Sequence, residues 1–172
     1  MKLFFHGRLK DDDFVEFSPF SHFGTRVAAI NRIKEKKREP GNKGIPQLIT
    51  VSIAHGLTGE SINLKEDWGA NTPLALSRGL SEYYNDINRS YEHKIFEDIR
   101  VKLIDEKRCG DYFTEESKRK FYEQGFKLIK IELDKLKIKA IYYDNKVEDE
   151  SVSVCVVEPN IIKILEKNEI NL

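Results

Sequence analysis

This 172-residue sequence contains only two cysteines, and its basic and acidic residues are equal in number. Cys109 and Cys155 lie in unrelated contexts without a CxxC motif, so we expect reduced thiols in a cytoplasmic protein rather than a disulfide or a zinc site. The 29 basic and 29 acidic residues exclude the strong overall positive charge of a general nucleic-acid-binding protein. No apolar run approaches the ~18 residues of a membrane span, and no signal-peptide layout opens the chain, which predicts no membrane contact.

Several catalytic motifs are also missing. The sequence has no GxxxxGK[ST] loop for phosphates and no GxSxG motif for acyl transfer, which argues against nucleotide triphosphatases, kinases and ordinary esterases. The four histidines have neither an i, i+4 pair nor clustered acidic neighbours, so a zinc hydrolase is not indicated and no metal site is expected.

The patterns that are present predict a single mixed α+β domain over residues 1–172. Residues 2–6 and the run PQLITVSIA have the apolar and β-branched composition of strands. Thr25 is a natural cap for a helix over TRVAAINRIKEKKRE, with Val27, Ala28, Ile30 and Ile33 at helical spacing. A second helix is expected from Pro73 to about Asn88.

The second half of the chain gives weaker patterns. Residues 88–110 are highly charged and favour a helix, and TEESKRKFYEQGF predicts another helix that ends at Gly125. The following FKLIKIELDKLKIK fits either a pair of strands or an amphipathic helix. Towards the C-terminus, IKAIYYDN and VSVCVV predict two strands joined by an acidic loop, and a last strand or turn follows Pro159.

Polar residues follow several of these predicted strands. His6 and Gly7 end the first strand, HFGT precedes the first helix, and YDNKVEDES ends a late strand. A carboxylate beside a hydroxyl-binding histidine would suit glycosyl transfer, because positive charge develops at a ribose carbon when the glycosidic bond breaks. The alternative is that His6 is a satisfied core histidine, HFGT a helix entry and the acidic loop a solvated turn.

These same stretches resemble the ADP-ribosyltransferase superfamily, particularly its compact bacterial and phage-encoded members. The likeness runs in order through LFFHG, FVEFSPFSHFGTRVAAINR and LITVSIAHGLTGESINLKEDWG, the last containing Asp67 and Trp68. It continues through Tyr143, Asn145, Glu148 and Ser153 to VVEPNIIKIL, and so spans nearly the whole chain.

The resemblance implies an NAD-binding cleft between two small β-sheets, with NAD as substrate. In that arrangement His6 bonds the nicotinamide-side ribose, the Gly7 backbone holds the carboxamide, and Glu148 is the catalytic carboxylate. Asp149 and Glu150 are the fallback acids, because Ser153 occupies the position where many members carry the glutamate. The further cofactor-binding residues expected are Arg8, His22, Phe23, Thr25, Asn145 and Ser153, of which Phe23 would pack on nicotinamide and His22 would make a polar contact.

By this resemblance the chain is an NAD-dependent mono-ADP-ribosyltransferase with a macromolecular acceptor, either protein or nucleic acid. A toxin or an effector in phage defence, held in check by an inhibitory partner protein (an antitoxin), is the role such enzymes suggest. Arg8 beside His6 keeps open an RNA 2′-phosphotransferase of the same fold, and Ser153 keeps open a non-catalytic interaction domain. The basic run RIKEKKRE is either a solvated helix face or a nucleic-acid patch.

Overall fold

The computed structural model describes residues 2–10, 16–54, 60–65, 68, 71–110, 114–146 and 149–172. The chain divides into two compact units, one formed by Met1–Glu66 with Ile138–Leu172 and the other by Asp67–Lys137. Within the described ranges, the helices are all too short or too polar to cross a membrane.

The first unit contains two small sheets. One has the strand order β1-β3-β7, and the other has the order β2-β6-β5-β4. All pairings are antiparallel except β4 with β5. The strands are β1 (Leu3–Lys10), β2 (Ser21–Phe23), β3 (Ile45–Ile53), β4 (Ser61–Leu64), β5 (Ala140–Asn145), β6 (Ser151–Val156) and β7 (Ile162–Glu169).

The core of this unit is built from both sheets. Alternate side chains of a strand point to one face, so every second residue is available to the core. Phe4 of β1, Val51 of β3, Phe23 of β2 and Val154 of β6 belong to one buried cluster. The predicted α+β class and the strands expected at both ends of the chain are confirmed.

Helix α1 (Arg26–Arg38) begins as predicted at Thr25, whose hydroxyl accepts the N–H of Ala28 at 3.1 Å. Its buried residues are Ala28, Ala29 and Ile33. Val27, which the helical spacing assigned to the apolar face, is instead 55% exposed. The buried side of α1 instead includes Ala29, whose backbone carbonyl lies against Gly7 of β1.

The second unit contains three helices, α2 (Pro73–Asp86), α3 (Ser90–Cys109) and α4 (Glu115–Lys135). The helix expected from Pro73 and the one favoured for residues 88–110 are therefore confirmed. Tyr84 of α2 stacks on Phe96 of α3, with ring centroids 5.6 Å apart and planes 5° from parallel.

The prediction that a helix ends at Gly125 is wrong. Helix α4 continues to Lys135 and takes up most of FKLIKIELDKLKIK, which resolves that ambiguity in favour of a helix. Gly125 is buried, and a Cβ atom there would lie 2.6 Å from the ring of Pro73. The glycine thus allows the close packing of two helices rather than ending one of them.

Candidate functional site

His6 has a fixed orientation beside β2. Its Nδ1 atom lies 2.8 Å from the carbonyl oxygen of His22. A carbonyl oxygen can only accept, so Nδ1 carries the hydrogen, and in the neutral ring Nε2 is then an acceptor. The pKa of His6 lies below its usual value, mainly because burial disfavours the charged ring, and nearby cations add to the effect: Lys36, Arg8 and Arg32. The hydrogen bond to His22 acts in the opposite direction.

Two aromatic rings flank His6. The ring of Phe17 lies edge-on at 5.2 Å, and the ring of Phe23 lies at 5.7 Å. Phe23 is only 2% exposed and belongs to the core between the sheets. Phe17 was not singled out from the sequence, because a Phe-rich loop has no periodicity that tells which ring points inwards.

Strand β1, which contains His6, lies at the edge of its sheet. The N–H of Phe5 donates to the Gly24 carbonyl at 2.9 Å, and the N–H of Gly24 donates back to Phe5 at 3.0 Å. Backbone groups of alternate residues in a strand point to the same side, so the N–H and C=O of Gly7 point to this side too, away from β3. Among the described residues they have no backbone partner there.

The missing side chain of Gly7 is explained by packing. A Cβ atom on this residue would lie 2.1 Å from the carbonyl oxygen of Ala29 and 2.7 Å from a side-chain carbon of Ile33. Its Cα therefore faces α1, while its peptide groups face the edge of the strand. The sequence suggested that the glycine allows a ligand to approach, whereas in the structure helix α1 occupies that space.

His22 links two parts of the candidate site. Its carbonyl binds His6, and its side-chain Nδ1 forms a 2.8 Å hydrogen bond with the hydroxyl of Tyr143. The two rings meet edge-on with centroids 5.8 Å apart. Because β2 and β5 both pair with β6, this contact reaches across the sheet and fixes β2 at the position where His6 binds it.

Two further predicted residues form a buried polar pair. The side-chain amide of Asn145 donates to the Ser153 hydroxyl at 3.2 Å, and the two residues are 4% and 1% exposed. A Cβ atom at Gly24 would lie 2.8 Å from that hydroxyl oxygen. Ser153, which is hydrogen-bonded by Asn145, thus lies next to Gly24, whose backbone bonds to Phe5 of β1.

Thr25 connects α1 to the loop between β5 and β6. Its hydroxyl donates to Oδ2 of Asp149 at 2.6 Å while it accepts the Ala28 N–H. The carbonyl of Asp149 also accepts the N–H of Ser151, the first residue of β6, at 2.7 Å. A carboxylate at this end of a helix is favoured by the helix dipole.

The remaining predicted residues have different positions. Arg8 lies on β1 opposite Gln47 and is 9% exposed, and Glu150 is exposed. Trp68 is buried in the second unit, where its carbonyl accepts a hydrogen bond from Arg78. Glu148, the expected catalytic carboxylate, and Asp67 lie outside the described residues.

Comparison of the chain with known proteins finds no matching family model, no matching curated protein and no matching solved structure.

Proposed function

We propose that this chain is an NAD-dependent mono-ADP-ribosyltransferase with an ADP-ribosyltransferase-like fold. One observation carries the proposal: a neutral histidine with a fixed acceptor nitrogen, His6, directly precedes a residue whose backbone donor and acceptor face the strand edge, Gly7. A nicotinamide riboside needs both features, because its ribose hydroxyls donate hydrogen bonds and its carboxamide can pair with a peptide group.

The resemblance to ADP-ribosyltransferases supplies the roles in this proposal. Nε2 of His6 accepts a hydrogen bond from the nicotinamide-side ribose, and the peptide groups of Gly7 pair with the carboxamide. Glu148 stabilises the positive charge that develops at the ribose carbon as its bond to nicotinamide breaks. A nucleophile of the acceptor then bonds to that carbon and loses its proton to water, so that ADP-ribose is transferred and nicotinamide is released.

Other residues hold these groups in place. The Thr25–Asp149 hydrogen bond fixes the residue that follows Glu148 in the sequence, and the His22–Tyr143 bond fixes the strand that binds His6. Because Oδ2 of Asp149 is engaged with Thr25, we assign it to positioning and keep Glu148 as the catalytic carboxylate. Accurate positioning matters because small displacements of reacting groups reduce rates strongly.

An RNA 2′-phosphotransferase is the second candidate, supported by one observation. Arg8 is nearly buried, and its positive charge contributes to the lowered pKa of His6. A guanidinium beside a histidine suits an internal phosphate of RNA. An NAD enzyme of this kind would release nicotinamide only in the presence of 2′-phosphorylated RNA, which separates it from the first candidate.

The test is incubation of the pure protein with NAD labelled in the adenylate part, with and without cell extract. We expect nicotinamide release and labelled macromolecules, and a loss of at least about 100-fold in Glu148→Gln because the stabilising charge is gone. Glu150→Gln is the matched control, since it removes the same charge from an exposed neighbour. Turnover that survives in Glu148→Gln but is lost in Glu150→Gln would reassign the catalytic carboxylate. The absence of both nicotinamide release and labelled macromolecules in every sample favours a non-catalytic domain.

As a further part of the proposal, the enzyme acts as a toxin or phage-defence effector that an inhibitory partner protein holds in check. Expression of the active chain, compared with Glu148→Gln, tests this role through cell growth.

A further inference from the structure

We propose that the solvent-facing side of α1 is the docking surface for a single-stranded nucleic-acid acceptor. This proposal rests on the proposed transferase function and names its acceptor class. The surface, called here the α1 cationic face, consists of Arg26, Lys34, Lys37 and Arg38. All four residues are exposed.

The α1 cationic face is a stripe in two parts, with Arg26 in the first turn and Lys34, Lys37 and Arg38 in the last two turns. At about 100° per residue, its four side chains fall within an arc of about 120° that is bordered by the buried Ile33 and includes the half-buried Ile30. The stripe is about 18 Å long at 1.5 Å per residue.

Acidic side chains do not neutralise this stripe. Among the described residues, none of the four cations forms an ion pair, and the one acid of α1, Glu35, pairs with Arg32 outside the stripe. Helix α4 is different, since Lys118, Arg119 and Lys120 each pair with a glutamate three or four residues away. In the part of the chain that the structure describes, the α1 cationic face therefore carries positive charge that no ion pair offsets, in contrast to these three cations of α4.

Helix stability does not explain all of these cations. Lys37 and Arg38 lie in the last turn, where a positive charge favours the helix. Arg26 occupies the first helical position, where the helix dipole disfavours it, and Lys34 lies in the middle. The exposed Val27 lies on the same side and offers an apolar contact for an unstacked base.

The stripe is also close to the candidate site. Helix α1 packs against Gly7, its capping residue Thr25 binds Asp149, and the charges of Lys36 and Arg32 contribute to the lowered pKa of His6. Arg26 follows Thr25 directly, so a strand bound along the α1 cationic face would reach the end of α1 where Thr25 binds Asp149. We favour a single strand because a paired base must leave its stack before an enzyme can act on it. Six basic residues against one acidic residue in α1 favour an occupant with one negative charge per repeating unit, which is the charge density of a nucleic acid.

The experiment measures binding of a fluorescent single-stranded DNA of about 20 nucleotides at a series of salt concentrations, starting near 50 mM. The wild-type chain is compared with the triple variant Lys34→Gln/Lys37→Gln/Arg38→Gln. Each neutralised phosphate contributes about −0.7 to the slope of log K against log salt for a single strand, so the triple variant should flatten the slope by about 2. The matched control, Lys118→Gln/Arg119→Gln/Lys120→Gln, loses the same charge from α4 and should keep the wild-type slope.

Equal slopes in the two variants, or no binding by the wild-type chain near 50 mM salt, would overturn the proposal. If polyglutamate competes as effectively as the oligonucleotide, the partner is an acidic protein and the proposal is overturned. If duplex DNA binds more tightly than single-stranded DNA, the choice of a single strand is overturned. Nicotinamide release is measured on the same samples. Binding with the expected slopes but without NAD turnover refutes only the transferase, whereas turnover with unchanged slopes refutes only the docking surface.

Discussion

The hydroxyl of Thr25 lies 2.6 Å from Oδ2 of Asp149 and 3.1 Å from the backbone nitrogen of Ala28. One side chain therefore caps α1 and also binds the loop between β5 and β6. A threonine at the start of a helix usually performs only the first of these tasks.

Replacement of Thr25 by Ala should lower the free energy of unfolding by about 1 kcal/mol for the cap, plus a similar amount for the bond to Asp149. A double-mutant cycle with Asp149→Ala, measured by urea unfolding, should give a coupling energy of about 1 kcal/mol. Thr72→Ala is the matched control, because Thr72 caps α2 through the N–H of Ala75 at 3.2 Å. Additive effects of Thr25→Ala and Asp149→Ala would contradict the link.

The lowered pKa of His6 predicts a pH-dependent stability. Since the folded chain binds the proton less readily than the unfolded chain, the free energy of unfolding decreases as pH falls below about 6.5 and levels off below the folded pKa. His6→Gln, which keeps a donor for the His22 carbonyl, should remove this contribution. Urea unfolding at several values between about pH 7.5 and pH 5 compares the two proteins, and parallel curves would show that His6 does not contribute.

Gly7→Ala tests the close approach of α1 to β1. The new methyl group would lie 2.1 Å from the Ala29 carbonyl oxygen, so α1 must shift, and we expect a loss of about 3 kcal/mol or more in the free energy of unfolding. Gly41→Ala is the comparison, because Gly41 has a φ of +90° but no atom within 4 Å of the added Cβ. Its cost should be about 1–2 kcal/mol, from backbone strain alone. A smaller effect at Gly7 than at Gly41 would contradict the packing argument.

Gly125→Ala sets helix propensity against packing. Alanine should favour α4 by about 1 kcal/mol, but its methyl group would lie 2.6 Å from Pro73. We expect net destabilisation of about 1 kcal/mol or more, measured by thermal or urea unfolding. The neighbouring exposed variant Gln124→Ala should change stability by less than about 0.5 kcal/mol. An increase in stability with Gly125→Ala would show that the contact with Pro73 relaxes at little cost.

The sequence by itself determined the elements with strong local patterns. The capping threonine of α1, the continuous β-branched run of β3 and the proline at the start of α2 each indicate their element through local chemistry, and each was predicted correctly. The mixed α+β class follows from the order of those elements.

Only the tertiary structure decided what the glycines and the polar residues do. A glycine after a helical pattern is typical of a helix end, yet Gly125 lies inside α4 because Pro73 packs against it. The bonds of His6 to His22, His22 to Tyr143 and Thr25 to Asp149 join residues 16, 121 and 124 positions apart. No periodicity or spacing encodes such pairs, because they depend on which strands become neighbours in the folded chain.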